Sequence, residues 1–322
     1  MKILFITIPF FEYISKIKEQ IAKEMNAQVD VVYCDTPIPS YMIPFDKGLS
    51  RKISKYYNKK SQVEEFKKKS KINYDYIFVL VGRNVDVESL TALFKIQRKA
   101  KKILYVWDDV ARINTFNMIK NLFDVIYSFD SEDCKRYGFD FLPLFYCDDY
   151  CYDNEKKDID FSCFGGLHPK REKYLNNICK YCNKYGFTNY FHLKTATLTL
   201  LKEFVLGKRH KLPYYIKTNE ISMTECSGIV KRSVCAVDMP HSTQSGLTIR
   251  SIEALASQTK LITTNKAIKE YDFYNENNIL VTDSDCSNLT EEFIRRPYVK
   301  IDDSIVEKYS LSSWVRTIFK GD

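Results

Sequence analysis

Two stretches of the chain gather side chains able to hold an anion and a pair of hydroxyls. The first is "GGLHPKR", Gly165–Arg171. Gly165 and Gly166 close an apolar run, so backbone N–H groups there can approach an anion, with a helix N-terminus behind them. His168, Lys170 and Arg171 add polar and positive groups, and a guanidinium can grip phosphate with two parallel hydrogen bonds. The stretch is neither a Walker A motif nor a full G-x-G-x-x-G, and a tight turn carrying surface cations is the bland alternative. The second is "VDMPHSTQSGLTIRSIEALASQTKLITTN", Val237–Asn265. Asp238 ends a short strand, and His241, Gln244 and Ser245 follow in a polar loop. Gly246 then lets the backbone close on a phosphate as a helix begins. Leu247, Ile249, Ile252, Leu255 and Ala256 give that helix its core face, while Arg250 and Glu253 share another side. A carboxylate there can accept hydrogen bonds from a ribose diol, and His241 and Gln244 can reach a sugar or phosphate. The competing readings are a surface ion pair worth ~0–1 kcal/mol and a structural loop histidine.

Carboxylates in the first half have two readings as well. Asp108 and Asp109 end the run "ILYVWDD", and Asp130 ends "VIYSFD". Such residues can serve as a general base or position an acceptor, or they can cap the helix that follows. Arg83 and Asn84 follow "FVLVG" and are expected near the same edge. Cys179 and Cys182 form a single CxxC with no second pair at finger-like spacing, which favours reduced core thiols over a metal site.

These residues need a scaffold, and the pattern supplies one. Apolar or β-branched runs at Lys2–Ile8, Val29–Cys34, Tyr76–Val81, Ile103–Trp107, Val125–Phe129 and Phe139–Phe145 alternate with helix-like segments such as Phe11–Met25, Val87–Ala100 and Ser131–Tyr137. The polar stretch Cys151–Asp160 reads as a linker. A second alternation follows, with strands at Phe161, Asn189–Leu193, Val234–Asp238, Leu261–Thr264 and Ile279–Val281, and a last helix over Ser304–Phe319. Near-continuous apolar strands separated by helices predict parallel sheets covered on both faces. The expectation is α/β, with two doubly wound Rossmann-like domains, 1–152 and 153–302, facing a central cleft. The segment 303–322 is expected to cross back to the first domain. Ligands in this architecture lie at the C-terminal strand edges.

With 45% hydrophobic and 28% charged residues the chain is globular. No apolar run approaches the ~20 residues of a membrane span. The N-terminal "MKILFITIPFFEYISK" reads as a buried strand, not a signal peptide, which predicts a cytoplasmic chain. The net charge of +8 is concentrated in residues 47–71, where ten Lys/Arg face two Glu. A solvated helix explains such a run. So does a footprint for anionic lipid headgroups, since Ile53, Tyr56, Tyr57, Val63 and Phe66 recur at near-helical spacing. That would place the chain peripherally on the inner face of the plasma membrane. No reader motif for nucleic acid accompanies the patch.

The pattern "QSGLTIRSIEALASQTKLITTN" with "YDFYNENNILV" behind it resembles the donor-binding half of GT-B glycosyltransferases. "LYVWDDV", "FDVIYSFDSEDCKRYG", "FLPLF" and "DFSCFGGLHPKR" occur in matching order. The likeness extends to bacterial proteins of capsule and lipopolysaccharide gene clusters, CgeB-like members included, and spans roughly Tyr76–Val281. It implies a nucleotide-sugar donor and a surface-glycan or lipid-linked acceptor, with no cofactor. Glu253 stands where many such enzymes bind the ribose, Gly246 and Leu247 match the turn that meets the diphosphate, and the glycine turn with Lys170 and Arg171 matches a phosphate loop. Ser245 occupies the position, eight residues before Glu253, where retaining enzymes often carry a second Glu, so the stereochemical outcome is not inherited. Positive groups and helix dipoles can stabilise a departing nucleotide without a metal. Asp108, Asp109 and His241 are the candidate catalytic side chains. A GT-B-like sugar-nucleotide epimerase and a non-catalytic scaffold that kept the fold are the alternatives.

Overall fold

The computed structural model describes residues 1–10, 12–35, 47–113, 115–240, 245–283 and 285–320. His241 and Gln244 lie outside the described residues. The chain divides into two compact units, Met1–Pro143 with Ser312–Asp322, and Leu144–Leu311.

The first unit is built on β1 (Lys2–Thr7), β2 (Gln28–Tyr33), β3 (Tyr76–Leu80), β4 (Lys101–Val106), β5 (Val125–Ser128) and β6 (Asp140–Phe141). All pair in parallel, in the order β2-β1-β3-β4-β5-β6. Its helices are α1 (Tyr13–Met25), α2 (Lys47–Lys69), α3 (Val87–Ile96), α4 (Phe116–Ile119) and α5 (Ser131–Tyr137). The central strands are apolar on both faces because both are covered. Ile3, Leu4, Phe5, Ile77, Phe78, Ile103 and Leu104 are fully buried. The expected strand Phe139–Phe145 shrinks to two residues. Leu142 still donates its N–H to the Ser128 carbonyl, but Pro143 has no N–H and ends the ladder.

The second unit carries β7 (Ile159–Gly166), β8 (Asn189–Lys194), β9 (Ile216–Lys217), β10 (Ser233–Asp238), β11 (Lys260–Thr263) and β12 (Ile279–Val281). These too are parallel, ordered β12-β11-β10-β7-β8-β9. The strand order reverses between β7 and β10, which is the switch point where doubly wound sheets bind ligands. The helices are α6 (Pro169–Tyr185), α7 (Thr197–Val205), α8 (Met223–Arg232), α9 (Ile249–Ala256), α10 (Glu291–Arg295) and α11 (Asp303–Glu307). The polar stretch Cys151–Asp160 packs on this unit. The Tyr152 N–H reaches the Ala256 carbonyl, and Lys157 Nζ donates to Ser257 O at 3.1 Å and Thr259 Oγ1 at 2.8 Å.

The single helix expected over Ser304–Phe319 is two, α11 and α12 (Leu311–Lys320). The break has a cause. Tyr146 donates to the Tyr309 carbonyl and accepts from the Leu311 N–H, so this stretch pairs like a strand instead of continuing the helix. α12 packs on the first unit, with Trp314 against Phe78 and Tyr105 at 5.9 and 4.8 Å between ring centres. Cys179 and Cys182 are free thiols that face the core from α6. Burial pushes the Cys182 thiol up to about 12, so neither is a poised thiolate.

Candidate functional site

The C-terminal ends of β7 and β10 gather most of the residues expected to hold a donor. β7 ends in Gly165 and Gly166, and α6 starts at Pro169 with His168 as its cap. The His168 Nδ1 accepts from the Lys170 N–H at 3.3 Å, so the histidine has a structural task at the edge of the turn. Lys170 is exposed. Arg171 folds back over the turn, Nη1 donating to Gly166 O at 2.6 Å and Nη2 to Met239 O at 3.1 Å. One guanidinium thereby ties the end of β7 to the residue just beyond β10. Gly165 is glycine because of it: a Cβ there would lie 2.9 Å from Arg171 Nη1 and 3.1 Å from Cζ.

Asp238 ends β10 and is only 2% exposed. Its Oδ2 accepts from Thr248 Oγ1 at 2.8 Å and Ser251 Oγ at 3.4 Å, and its Oδ1 has no hydrogen-bond partner. Burial raises its pKa, opposed by the charges of Arg250 and Arg171 and by the Thr248 and Ser251 hydroxyls. Arg171 in turn is lowered, by burial first and then by repulsion from Arg250. Two guanidiniums and one buried carboxylate therefore share the switch point.

α9 begins at Ile249, three residues later than the glycine predicts. Thr248 is extended, at φ −73° and ψ 159°, and makes no side-chain cap, because its hydroxyl is committed to Asp238. Leu247 thus lies before the helix, although it is buried as expected. The competing reading of Arg250 and Glu253 as an exposed surface pair does not describe Glu253. Glu253 is 4% exposed, on a helix whose residues from Ser251 to Ala256 are all buried. Ser245 is half-buried and Gly246 buried. Both are held by a residue the sequence reading passed over. Asn265, beyond β11, donates from Nδ2 to Ser245 O at 3.0 Å and Gly246 O at 3.2 Å, while its Oδ1 caps the next turn at Ala267. The signal for Asn265 is an Asn directly after a strand, a frequent cap.

In the first unit the corresponding edge is also polar. Asp108 pairs with Arg83, Oδ2 to Nη1, at 3.0 Å. Asp109 is the N-cap of the short turn Val110–Arg112, accepting from the Ala111 N–H at 2.9 Å, and Asp130 caps α5. For both, the capping alternative describes the geometry. Asn84 donates to Asp35 at 3.2 Å, and Gln62 fastens α2 by bonds to Cys34 O, Asn84 O and the Asp86 N–H. Val81, Gly82 and Asn84 have φ of 78°, 77° and 61°. A β-branched residue in that region is strained, and such strain is held where surrounding structure over-determines it. Trp107 lies against Phe10 and Tyr13 at 5.4 and 6.1 Å. Among the described residues no group of three or more His, Cys, Asp or Glu could hold a metal ion.

No protein-family model matches the sequence, and no curated protein matches it either. Solved structures do. The chain is similar over 100% of its length, and 99% of the other, to the apo form of the lipopolysaccharide outer core galactosyltransferase WaaB, at TM-score 0.58 and 12% identity. A glycosyltransferase from Rickettsia africae aligns over 99% and 97% at TM-score 0.55 and 12% identity. The UDP-GlcNAc 2-epimerase from Neisseria meningitidis bound to UDP-GlcNAc aligns over 100% and 99% at TM-score 0.58 and 8% identity. The fold is GT-B. The second unit carries the β7–β10 switch point within that fold.

Proposed function

We propose that the chain is a metal-independent glycosyltransferase. It moves a sugar from a nucleotide-sugar donor to a surface-glycan or lipid-linked acceptor, as in capsule or lipopolysaccharide synthesis. One observation carries this reading: Arg171 and Arg250 bring positive charge to the β7–β10 switch point, beside the buried Asp238 carboxylate. Burial lowers Arg171 first and repulsion from Arg250 adds to it; a bound diphosphate would relieve that repulsion. The first turn of α9, which Thr248 leaves without a side-chain cap, offers backbone N–H groups to the same anion. As the glycosidic bond breaks, charge gathers on the leaving phosphate, and these fixed groups stabilise it.

In this reading Gly165, Gly166, Gly246 and Leu247 present backbone to the diphosphate, with Lys170, His168 and Ser245 at its margin. Glu253 accepts from the ribose hydroxyls, and Gln244 and His241 contact the sugar. Asp238 acts as a positioning residue, aligning Thr248 and Ser251 at the start of α9. Asp108 is the better candidate for the base that receives the acceptor proton, since Asp109 is committed to a cap. The Asp108 Oδ2 lies 3.0 Å from the Arg83 guanidinium. Neighbours of the same fold support a UDP-linked donor, including the epimerase bound to UDP-GlcNAc and a complex of Staphylococcus aureus MnaA with UDP, at TM-score 0.55 and 10% identity. The basic α2 exposes Tyr56 and Tyr57 at 65% and 45%, while Phe66 is buried, and it suits a phosphate-bearing acceptor at the cytoplasmic membrane face. No helix among the described residues is long and apolar enough to cross a membrane.

The test is a thermal-shift panel of UDP, GDP, CMP and ADP, in which the cognate nucleotide raises Tm. Glu253→Ala should weaken that nucleotide by about tenfold, the equivalent of ~1.4 kcal/mol. No response to any nucleotide would sink the donor site and leave a scaffold. A nucleotide-sugar epimerase is the second reading, because epimerases share the fold. It requires that UDP-GlcNAc alone, with no acceptor, change configuration at C2 by NMR.

A further inference from the structure

α7 sends none of its side chains into the core of its unit. Leu198, Leu201, Phe204 and Val205 are 68%, 58%, 80% and 76% exposed, and Leu206, which caps the helix, is 82% exposed. Leu198, Leu201 and Val205 recur at helical spacing and share one face, with Phe204 beside them. Single apolar residues on a surface need no explanation, but a contiguous group of this size marks a contact surface.

Charge indicates what covers it. Lys202 flanks the apolar face. Gly207, at φ 68°, ends the helix in the left-handed conformation, and Lys208, Arg209, His210 and Lys211 follow at once. Lys202, Arg209 and Lys211 are all exposed. The carboxylate of the helix is turned away from this rim: Glu203 accepts from Lys208 Nζ and lies 3.1 Å from His210 Nε2. The other ring nitrogen of His210 is 3.4 Å from Glu172, a buried α6 residue that also accepts the Lys211 and Leu212 N–H groups. The element is therefore fastened to α6 from below while its apolar side faces outward. Tyr214, 78% exposed, follows with Lys217 Nζ 5.0 Å from its ring centre.

We infer that this knuckle, apolar at its crest and basic at its rim, inserts into an anionic lipid bilayer. Hydrocarbon takes Leu201 and Phe204, and lipid phosphates take Lys202, Arg209 and Lys211. A second copy of the chain would have to set this rim against carboxylates, whereas its own α7 surface is cationic. The docking surface is carried by α7 and the residues after it, a different element from α2. It deepens the lipid-linked acceptor reading without depending on nucleotide binding.

The test uses the full chain with vesicles of phosphatidylcholine alone or mixed equally with phosphatidylglycerol. Phe204→Glu combined with Leu201→Glu should weaken binding to the anionic vesicles by about tenfold or more at unchanged Tm, since both residues are exposed. Phe204→Trp should give a blue-shifted emission, over the wild-type signal, on anionic vesicles only. Three results would overturn the inference: no vesicle binding by the wild type; equal binding by the double variant; or a dimer by light scattering that Phe204→Glu splits while vesicles are ignored. Because nucleotide shifts are read separately, failure here and failure of the donor site are distinguishable.

Discussion

Replacing Gly165 by Ala isolates the contact that builds the proposed phosphate turn. Gly165 has no left-handed backbone requirement, so its penalty comes from space alone. The new methyl would sit 2.9 Å from Arg171 Nη1, closer than carbon and nitrogen tolerate, and the guanidinium must move. Moving it breaks two charge-assisted hydrogen bonds, to Gly166 O and Met239 O. Such bonds contribute about 1.5–3 kcal/mol each when buried, and less here because the site is partly open. Against this, Ala restricts the unfolded chain and returns roughly 0.4–1 kcal/mol. The expected net loss is about 1–2 kcal/mol by urea denaturation. The decisive measurement is the cycle with Arg171→Met. In that background the methyl meets no guanidinium, so Gly165→Ala should be neutral or stabilising, with a coupling of about 1–3 kcal/mol. Equal losses in both backgrounds would refute the reasoning. The displaced charge should also weaken the cognate nucleotide diphosphate several-fold by calorimetry in the single variant.

Other consequences are more local. Asn265→Ala removes both bonds that hold the Ser245–Gly246 carbonyls; it should cost about 1–3 kcal/mol by chemical denaturation and weaken nucleotide binding, with Asn265→Asp recovering neither. Lys260 is 2% exposed and donates to the carbonyls of Phe293, Ile294 and Arg296 at the end of α10, so Lys260→Met should cost about 2–4 kcal/mol by leaving them unpaired. Lys157 is lowered by burial to about 8 from 10.5. The unfolded chain therefore binds more protons between those values, and stability rises with pH across that window. After screening this is on the order of 1–2 kcal/mol, and denaturation melts of Lys157→Met should lack that rise. If α2 meets anionic surfaces, vesicle binding that survives the α7 double variant should fade as salt is raised, and salt-insensitive residual binding would exclude α2 as its source.

Much of the scaffold was legible because its signals are repetitive. Buried parallel strands read as apolar runs, and the runs around Tyr76–Leu80, Val125–Ser128 and Ile279–Val281 match the observed strands within a residue. What escaped had its cause outside the segment concerned. The break before α12 depends on Tyr146, about 160 residues away, and β6 is short because of one proline at its end. α8 is announced by Ser222-Met-Thr-Glu225, a capping box that both side chains complete. α7 is the reverse case. Its apolar residues recur at helical spacing, and that they face solvent is visible only in three dimensions.

The same limit governs the candidate site. Residue types at 165, 166, 171, 238, 246, 250 and 253 suggested an anion and a diol, but a sequence cannot say how a cation is spent. Arg171 was expected to face phosphate directly, whereas both its terminal nitrogens hold backbone carbonyls, one at the end of β7 and one just beyond β10. Its charge still acts on the switch point while its hydrogen bonds fix the shape of the turn. Asp238 makes the complementary case, with one oxygen satisfied by the Thr248 and Ser251 hydroxyls and the other left without a partner. A buried orphan acceptor of this kind costs about 1–3 kcal/mol unless something supplies a donor. Beside two guanidiniums its charge keeps the switch point from being uniformly positive, and in the proposed reading the donor diphosphate answers the cations while Asp238 holds the start of α9 in place.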